Sequence, residues 1–381
     1  MGPLAGYRVI EFGGIGPGPM CAMLLADLGA DVLRIERPGG EELGLGTEPR
    51  HNLLLRNRPR VAMDLKRPTD AAAALELIER ADVLVEGYRP GAMERLGLGP
   101  DICLARNPRL VYGRMTGWGQ TGPLAQAAGH DLNYIALTGA LHAIGRAGAP
   151  PTPPLNLVGD FGGGALYLAF GIACALIEAG RSGRGQVVDA AMTDGAASLM
   201  TAFFGLHAAG TLNDERGTNI LDSGAPYYDV YRCLDGAYVS IAAIEPKFRA
   251  ELYRRLGLDP ADAHAATNPA NWPSERERIA RRIAERTREE WCRALEGTDV
   301  CFAPVLSIAE APDHHHNRER GTFVIADGIA QPAPAPRFSR TPAAPPRPPA
   351  ADTTSLSAAL TAWGVAADRI AELRRTSGGD G

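Results

Sequence analysis

What most limits the fold is the order of short apolar runs at the start of the chain. Residues 8–12, RVIEF, alternate as a half-buried strand does; 13–19 form a turn, 20–28 carry apolar residues at helical spacing, and 31–36, DVLRIE, return as a strand. Residues 61–65 read as a third strand. Thr69 is placed to cap a helix over 70–80, and 83–86 and 110–115 read as two more strands, the last running into the glycine-rich loop 116–123. Strands alternating with helices imply a mostly parallel sheet, whose ligands gather beyond the C-terminal strand ends. Those ends carry Arg37, Lys66 and Arg89, with Arg95 one turn further on. A single cation of this kind is ordinary surface charge; four at corresponding places point to a polyphosphate ligand. A dinucleotide glycine pattern is not met, because GGIGPGP puts Pro17 and Pro19 where backbone N–H donors would face a pyrophosphate. Glu36 stands where a ribose-binding acid would, and Arg37 beside it suits a phosphate better.

The chemistry concentrates in residues 129–164, GHDLNYIALTGALHAIGRAGAPPTPPLNLVGDFGGG. His130 and Asp131 open this stretch, and Asp160 closes it just before three glycines and the apolar segment 165–179. That order predicts a helix N-terminus at Asp160, where unpaired N–H groups and the positive dipole end favour developing negative charge. An imidazole, a carboxylate and an anion cradle would then converge. The plainer alternatives are an N-capping Asp160 and a buried, hydrogen-bonded His130.

Composition narrows the classes. At 381 residues two domains are expected, and 45% hydrophobic with 22% charged residues is the balance of a globular protein. A net charge of −5 without a long cationic segment excludes a dedicated nucleic-acid binder. The six cysteines, Cys21, Cys103, Cys174, Cys233, Cys292 and Cys301, contain no CxxC pair, so reduced thiols in a cytoplasmic protein are expected. No basic leader precedes a long apolar run, and no segment is expected to reach the length of a membrane span. After a strand at 186–191, Asp194 is placed to cap a helix through 209, whose Met192, Met200, Phe203 and Phe204 suit a packed core better than an acyl-chain lining. From Tyr227 the texture changes: 227–234 and 237–242 around Asp235-Gly236 make a hairpin pattern, and Glu245-Pro246 leads into a helix, placing Glu245 at a strand-to-helix junction. Asp313, His314, His315, His316 and Asn317 suggest a metal, but adjacent histidines on a polar loop diverge and no carboxylate stands at helical spacing, so no metal site is expected. Residues 331–349 read as a proline-rich extended linker, 356–375 as a helix, and the last six as disordered.

Taken together, IEFGGIGPGPMCAMLLADLGADVLRIERP, DLKRP, VEGYRPGAMERLG, GHDLNY, LVGDFGGG, APYYDVY, EPKF and NRERGTF resemble the landmarks of the class III CoA-transferase family, and GHDLNY with His130 resembles its α-methylacyl-CoA racemase branch. The resemblance implies an α/β fold: a Rossmann-like large domain over 1–200 completed by 321–381, a linker helix over 201–226, and a smaller α+β domain over 227–320, in an interlocked homodimer whose sites lie between domains of different chains. It implies His130 and Asp160 as a proton-transfer pair, with Glu245 supporting His130. It implies CoA contacts at Arg37, Met63, Asp64, Leu65, Lys66, Gly87, Tyr88, Arg89, Arg95, Gly129, Asp131, Leu132, Asn133 and Tyr134. The substrates would be 2-methyl-branched acyl-CoA thioesters, with CoA as part of the substrate and no separate cofactor or metal. The residues fit such chemistry, since inversion at an α-carbon needs a base on one face and an acid on the other, and the helix start at Asp160 would serve as an oxyanion site. A CoA-transferase would instead use Asp160 as a nucleophile, leaving His130 without an evident task. A nucleotide-dependent oxidoreductase lacks its glycine pattern, and a noncatalytic acyl-CoA carrier would not need three titratable groups.

Overall fold

Six parallel strands form the central sheet in the order β3-β2-β1-β4-β5-β6, with β1 Arg8–Phe12, β2 Asp31–Glu36, β3 Arg60–Ala62, β4 Val83–Glu86, β5 Val111–Thr116 and β6 Val187–Ala191. This computed structural model describes residues 2–39 and 48–377, and the chain separates into one unit of Met1–Thr138, Leu155–Leu199 and Gly321–Gly381 and another of Gly139–Pro154 and Met200–Arg320. The strand order reverses between β1 and β4, which opens a crevice at their C-terminal ends.

Period-two alternation sorts the sheet residues into two layers. Ile10, Phe12, Leu33, Ile35, Leu84 and Tyr112 face one side, under helices Pro68–Ile78, Leu356–Ala362 and Ala367–Ser377. Val9, Val32, Val83, Val85, Val111 and Met115 face the other, under helices Pro17–Asp27 and Leu166–Ser182. On that second side alternation also turns Glu11 and Arg34 inward. The fully buried Glu11 carboxylate accepts from Arg34 Nη1 at 2.5 Å and from Arg58 Nη1 at 2.7 Å. Arg34 also donates to the Gly14 carbonyl at 3.3 Å, and Arg58 to the Pro19 carbonyl at 3.1 Å, so the two guanidiniums pin the loop that follows β1 and the first turn of the helix after it. Glu36 is drawn into the same network by Arg34 and Arg60, which removes it as a ribose acceptor. Nearby, Arg56 grips Asp27 through two bonds and reaches Gln331, tying helix Pro17–Asp27 to the hairpin Phe323–Ala326 and Ile329–Pro332.

Several expected boundaries move for identifiable reasons. The first helix starts at Pro17, because both prolines fit the first turn, where no N–H partner is needed. The next starts at Pro68, with Thr69 inside it; Asp70 instead accepts the Asp64 N–H at 2.8 Å. The helix expected through 209 begins at Met192 and divides into Met192–Leu199 and Thr201–Ala208. Gln331 lies in a strand, and the C-terminal helix is two helices, the second reaching Ser377; residues 378–381 of the expected disordered tail lie outside the described residues.

The glycines 162–164 lie inside a helix. The segment Leu157–Ala165 has wide π-type turns, with the Phe161 N–H reaching the Asn156 carbonyl, and runs directly into helix Leu166–Ser182. A Cβ on Gly163 would lie 2.6 Å from the Ala196 nitrogen and one on Gly195 only 1.8 Å from the Gly163 carbonyl oxygen, so here two helices cross backbone to backbone. The combined Leu157–Ser182 is long and apolar enough to cross a membrane by length and composition, contrary to expectation, because the glycines do not interrupt it. One stripe, Leu168, Ile172, Ala175, Leu176 and Ala179, is buried, while Leu166, Phe170 and Ile177 on another face are exposed.

The second unit packs helices Pro246–Arg255, Trp272–Ile283 and Arg288–Leu295 on an antiparallel sheet of β7 Tyr228–Arg232, β8 Tyr238–Ala242 and β9 Phe302–Val305, around Tyr231, Val239, Ile241, Tyr253, Ile279 and Trp291. Buried Asp229 accepts from both Arg146 and Arg276, which fastens Gly139–Pro154 into this unit. Of residues 201–226, only Thr201–Ala208 is helical, and none of its side chains is buried, so the packed core expected around Phe203 and Phe204 does not form there.

Removing one partner of a buried ion pair leaves an uncompensated charge. Glu11→Gln is therefore expected to lower unfolding free energy by about 3–5 kcal/mol in urea titration, whereas Glu94→Gln, at the exposed end of an Arg114 pair, is expected to cost less than about 1 kcal/mol.

Candidate active site

The loop after β5 and the wide-turned helix bring the chemistry-bearing residues together at the C-terminal edge of the sheet. Helix Asp131–Ala136 begins at His130, whose backbone N–H donates to Asn133 Oδ1 at 3.1 Å. Tyr134 anchors this turn: its hydroxyl donates to the Gly129 carbonyl, its ring meets Trp118 edge-on at 4.8 Å, and a Cβ on Gly117 or Gly129 would strike it. His130 itself is exposed, which sets aside the buried-histidine alternative.

Asp160 is held from three directions. Its Oδ2 accepts from Asn156 Nδ2 at 3.0 Å, its own N–H donates to Asp131 Oδ1 at 2.6 Å, and Gly16, at φ 66°, presses so close that a Cβ there would lie 2.8 Å from Oδ2. It lies in the first turn of the wide segment, after the N-cap Asn156. Asp131 occupies the Asp160 N–H, so an oxyanion site at this helix start would have to use other backbone donors. Burial raises the affinity of the Asp160 carboxyl for its proton above the ordinary aspartate range; the Asp131 charge adds to this, while Asn156 and the nearby His130 oppose it. Asp131 is itself buried, and its Oδ2 has no hydrogen-bond partner among the described residues. A carboxyl whose proton affinity burial has raised, with an imidazole close enough to act on it electrostatically, brings two proton-exchanging groups to one place.

The expected CoA residues fall at strand ends. Arg37 follows β2; Met63, Asp64, Leu65 and Lys66 follow β3; Gly87, Tyr88 and Arg89 follow β4. Arg37, Lys66, Arg89 and Arg95 are all exposed. Arg89 acts electrostatically on Tyr134, so it belongs with the His130 turn, and Arg95 lies over Gly91. Glu86 accepts the Tyr88 N–H at 2.8 Å and Arg114 Nε at 2.9 Å, which fixes the turn carrying Arg89, and burial pushes its carboxyl up to about 7. Met63 is different: its side chain is in the core, leaving only its backbone for a ligand. Leu132 and Asn133 are exposed on the helix after His130. Glu245 lies in the second unit as the N-cap of Pro246–Arg255, exposed and close enough to raise the proton affinity of Cys301. Among the histidines of 314–316, His314 and His315 gather with Glu296, a partner from elsewhere in the chain. Sequence reading missed Asn156 and the pressure of Gly16; the signal for Asn156 is its place four residues before Asp160.

A doubly wound parallel sheet with a row of cations at its strand ends, and a histidine within electrostatic reach of a desolvated aspartate, defines an α/β scaffold whose ligands gather beyond those ends. Residues 4–353 match the family model for CoA-transferase family III, and the chain belongs to that family. The α-methylacyl-CoA racemase of Mus musculus is 46% identical over 344 residues, covering 90% of this chain and 88% of that protein. The racemase of Homo sapiens is 43% identical over 345 residues, covering the same shares. A crystal structure of a CaiB/BaiF family protein from Brucella suis superposes with a TM-score of 0.81 at 24% identity, covering 95% of this chain and 99% of that one, and shares the fold.

Asp131→Asn keeps an acceptor for the Asp160 N–H but removes a neighbouring negative charge. The Asp160 carboxyl, followed by carbon NMR across a pH titration, is expected to lose its proton at lower pH in this variant; an unchanged midpoint would deny that Asp131 acts on it.

Proposed function

We propose that this protein is an isomerase that interconverts the R and S forms of 2-methyl-branched acyl-CoA thioesters. The observation that carries the reading is the His130–Asp160 pair, one exposed on a helix cap and the other in a partly desolvated pocket. One group removes the α-proton, the C–H electrons move into the thioester carbonyl as an enolate, and the conjugate acid of the other returns a proton to the opposite face. The bases end each turnover with exchanged protonation and need no external electron carrier. CoA is substrate, met by Arg37, Lys66, Arg89 and Arg95 through its phosphates.

The active form is a homodimer in which Glu245 of the partner subunit supports His130. Support comes from the exposed apolar stripe Leu166, Phe170 and Ile177 and from the unburied helix Thr201–Ala208 with Phe204 and Leu206, surfaces that a second copy would cover. The six unpaired cysteines support a cytoplasmic setting. The family name favours a second reading, CoA transfer through an Asp160 anhydride. Its weakness is that burial favours the protonated carboxyl, the poorer nucleophile.

Incubating separate R and S 2-methylacyl-CoA with each variant in D2O distinguishes the two. His130→Gln and Asp160→Asn should each abolish racemisation while leaving α-proton exchange on one enantiomer, opposite for the two variants. Racemisation surviving in His130→Gln, or CoA moving to an added carboxylic acid as fast as exchange, would replace the proposal with the transferase reading. Mixing His130→Gln with Glu245→Ala chains under refolding should restore some activity if sites are shared between chains, and none if each chain holds its own.

Phosphate contacts are equal in ground and transition states, so Arg89→Ala should raise KM for acyl-CoA well beyond its effect on kcat. Short thioesters lacking the nucleotide should be insensitive to the change; a large fall in kcat at constant KM would contradict the assignment.

A further inference from the structure

The second unit gathers a set of donors that the proton-transfer chemistry does not use. Glu296, at the C-terminal end of helix Arg288–Leu295, meets His314 and His315 so that one donor atom from each lies within 4.8 Å of the others. His314 Nε2 is 2.8 Å from Glu296 Oε1, and both side chains are about four-fifths shielded from solvent, at 19% and 24% exposure. The backbone explains why two successive imidazoles fall together. His314 is extended, at φ −61° and ψ 131°, and forms the corner between the short turn Ala311–Asp313 and helix His315–Arg320. On a regular strand neighbouring side chains point to opposite faces, but at this corner the two rings lie with centroids 4.5 Å apart.

We propose that Glu296, His314 and His315 bind one late first-row divalent cation, of which zinc is the representative. Donors around tetrahedral zinc at about 2.0–2.1 Å stand roughly 3.3 Å from one another, a spacing between the 2.8 Å of the His314–Glu296 pair and the 4.8 Å limit of the set. A small rotation of the exposed His315 ring closes the difference. Two imidazoles and a carboxylate favour zinc, nickel, cobalt or copper over magnesium and calcium, whose sites are built from oxygen. Three protein donors leave a position for water, as in open zinc sites. The ion would replace the hydrogen-bonding proton between His314 and Glu296 and fasten the end of helix Arg288–Leu295 to the corner. The start of that helix is already fastened to the same segment by Arg288, which pairs with Glu310.

The test uses full-length protein without a histidine tag, stripped with chelator and titrated with zinc alone by calorimetry near pH 7.5. One saturable equivalent is expected, lost below about pH 6 as the imidazoles protonate. Cobalt in the same site should give visible ligand-field absorption displaced by zinc. His315→Gln changes an exposed side chain and should preserve the fold; it and Glu296→Gln are each expected to weaken binding at least tenfold, while His316→Gln binds as wild type. No saturable binding at about 100 μM metal, far weaker than structural zinc sites, overturns the proposal. Binding that Glu296→Gln leaves unchanged, or that depends on His316 as much as on His315, overturns it as well.

Discussion

The fully buried carboxylate of Glu11 is the contact from which the arrangement of the site follows. It lies in the layer of the sheet that also buries Val9 and Val32, where an unpaired charge would cost several kcal/mol, and two guanidiniums neutralise it. Arg34 Nη2 also takes the Gly14 carbonyl, and Arg58 Nη1, the atom that binds Glu11, also takes the Pro19 carbonyl. The loop after β1 is thereby held at one height above the sheet, and Gly16 of that loop abuts Asp160. The buried Glu11–Arg34–Arg58 cluster thus ties down the loop that abuts a carboxyl whose proton affinity burial has raised.

How much was legible in the sequence depends on how local the cause is. The alternation of RVIEF and DVLRIE, and the helix between them, gave the parallel sheet, and the cations Arg37, Lys66 and Arg89 stand at its strand ends as read. His130 and Asp160 came from residue type and order, and the structure places them within electrostatic reach. Causes that join distant segments were not legible. Asp131 taking the N–H of Asp160, Glu296 meeting His314, and Asp229 drawing Arg146 and Arg276 each depend on a partner that no local period reveals.

The glycines 162–164 show how a correct local rule can mislead. A glycine run before an apolar segment is an ordinary sign of a helix start, and it led to an anion cradle at Asp160. The glycines are present because backbone meets backbone at Gly163 and Gly195, where any side chain would collide. Met63 carries a similar lesson: its position after β3 is that of a ligand contact, but alternation turns its side chain into the core beside Val61.

The wide turns of Leu157–Ala165 act as a change of phase along one continuous rod. Hydrogen bonds that span five residues rather than four advance the side chains by a smaller angle per residue than the α-helix beyond. Asp160 is therefore aimed by a different helical clock from Leu168, Ile172 and Ala175, which the sheet dictates. The orientation of the acid and the packing of the hydrophobic stripe become separable quantities: residues can be exchanged along the stripe to suit the sheet without turning the carboxyl away from Gly16 and Asn156.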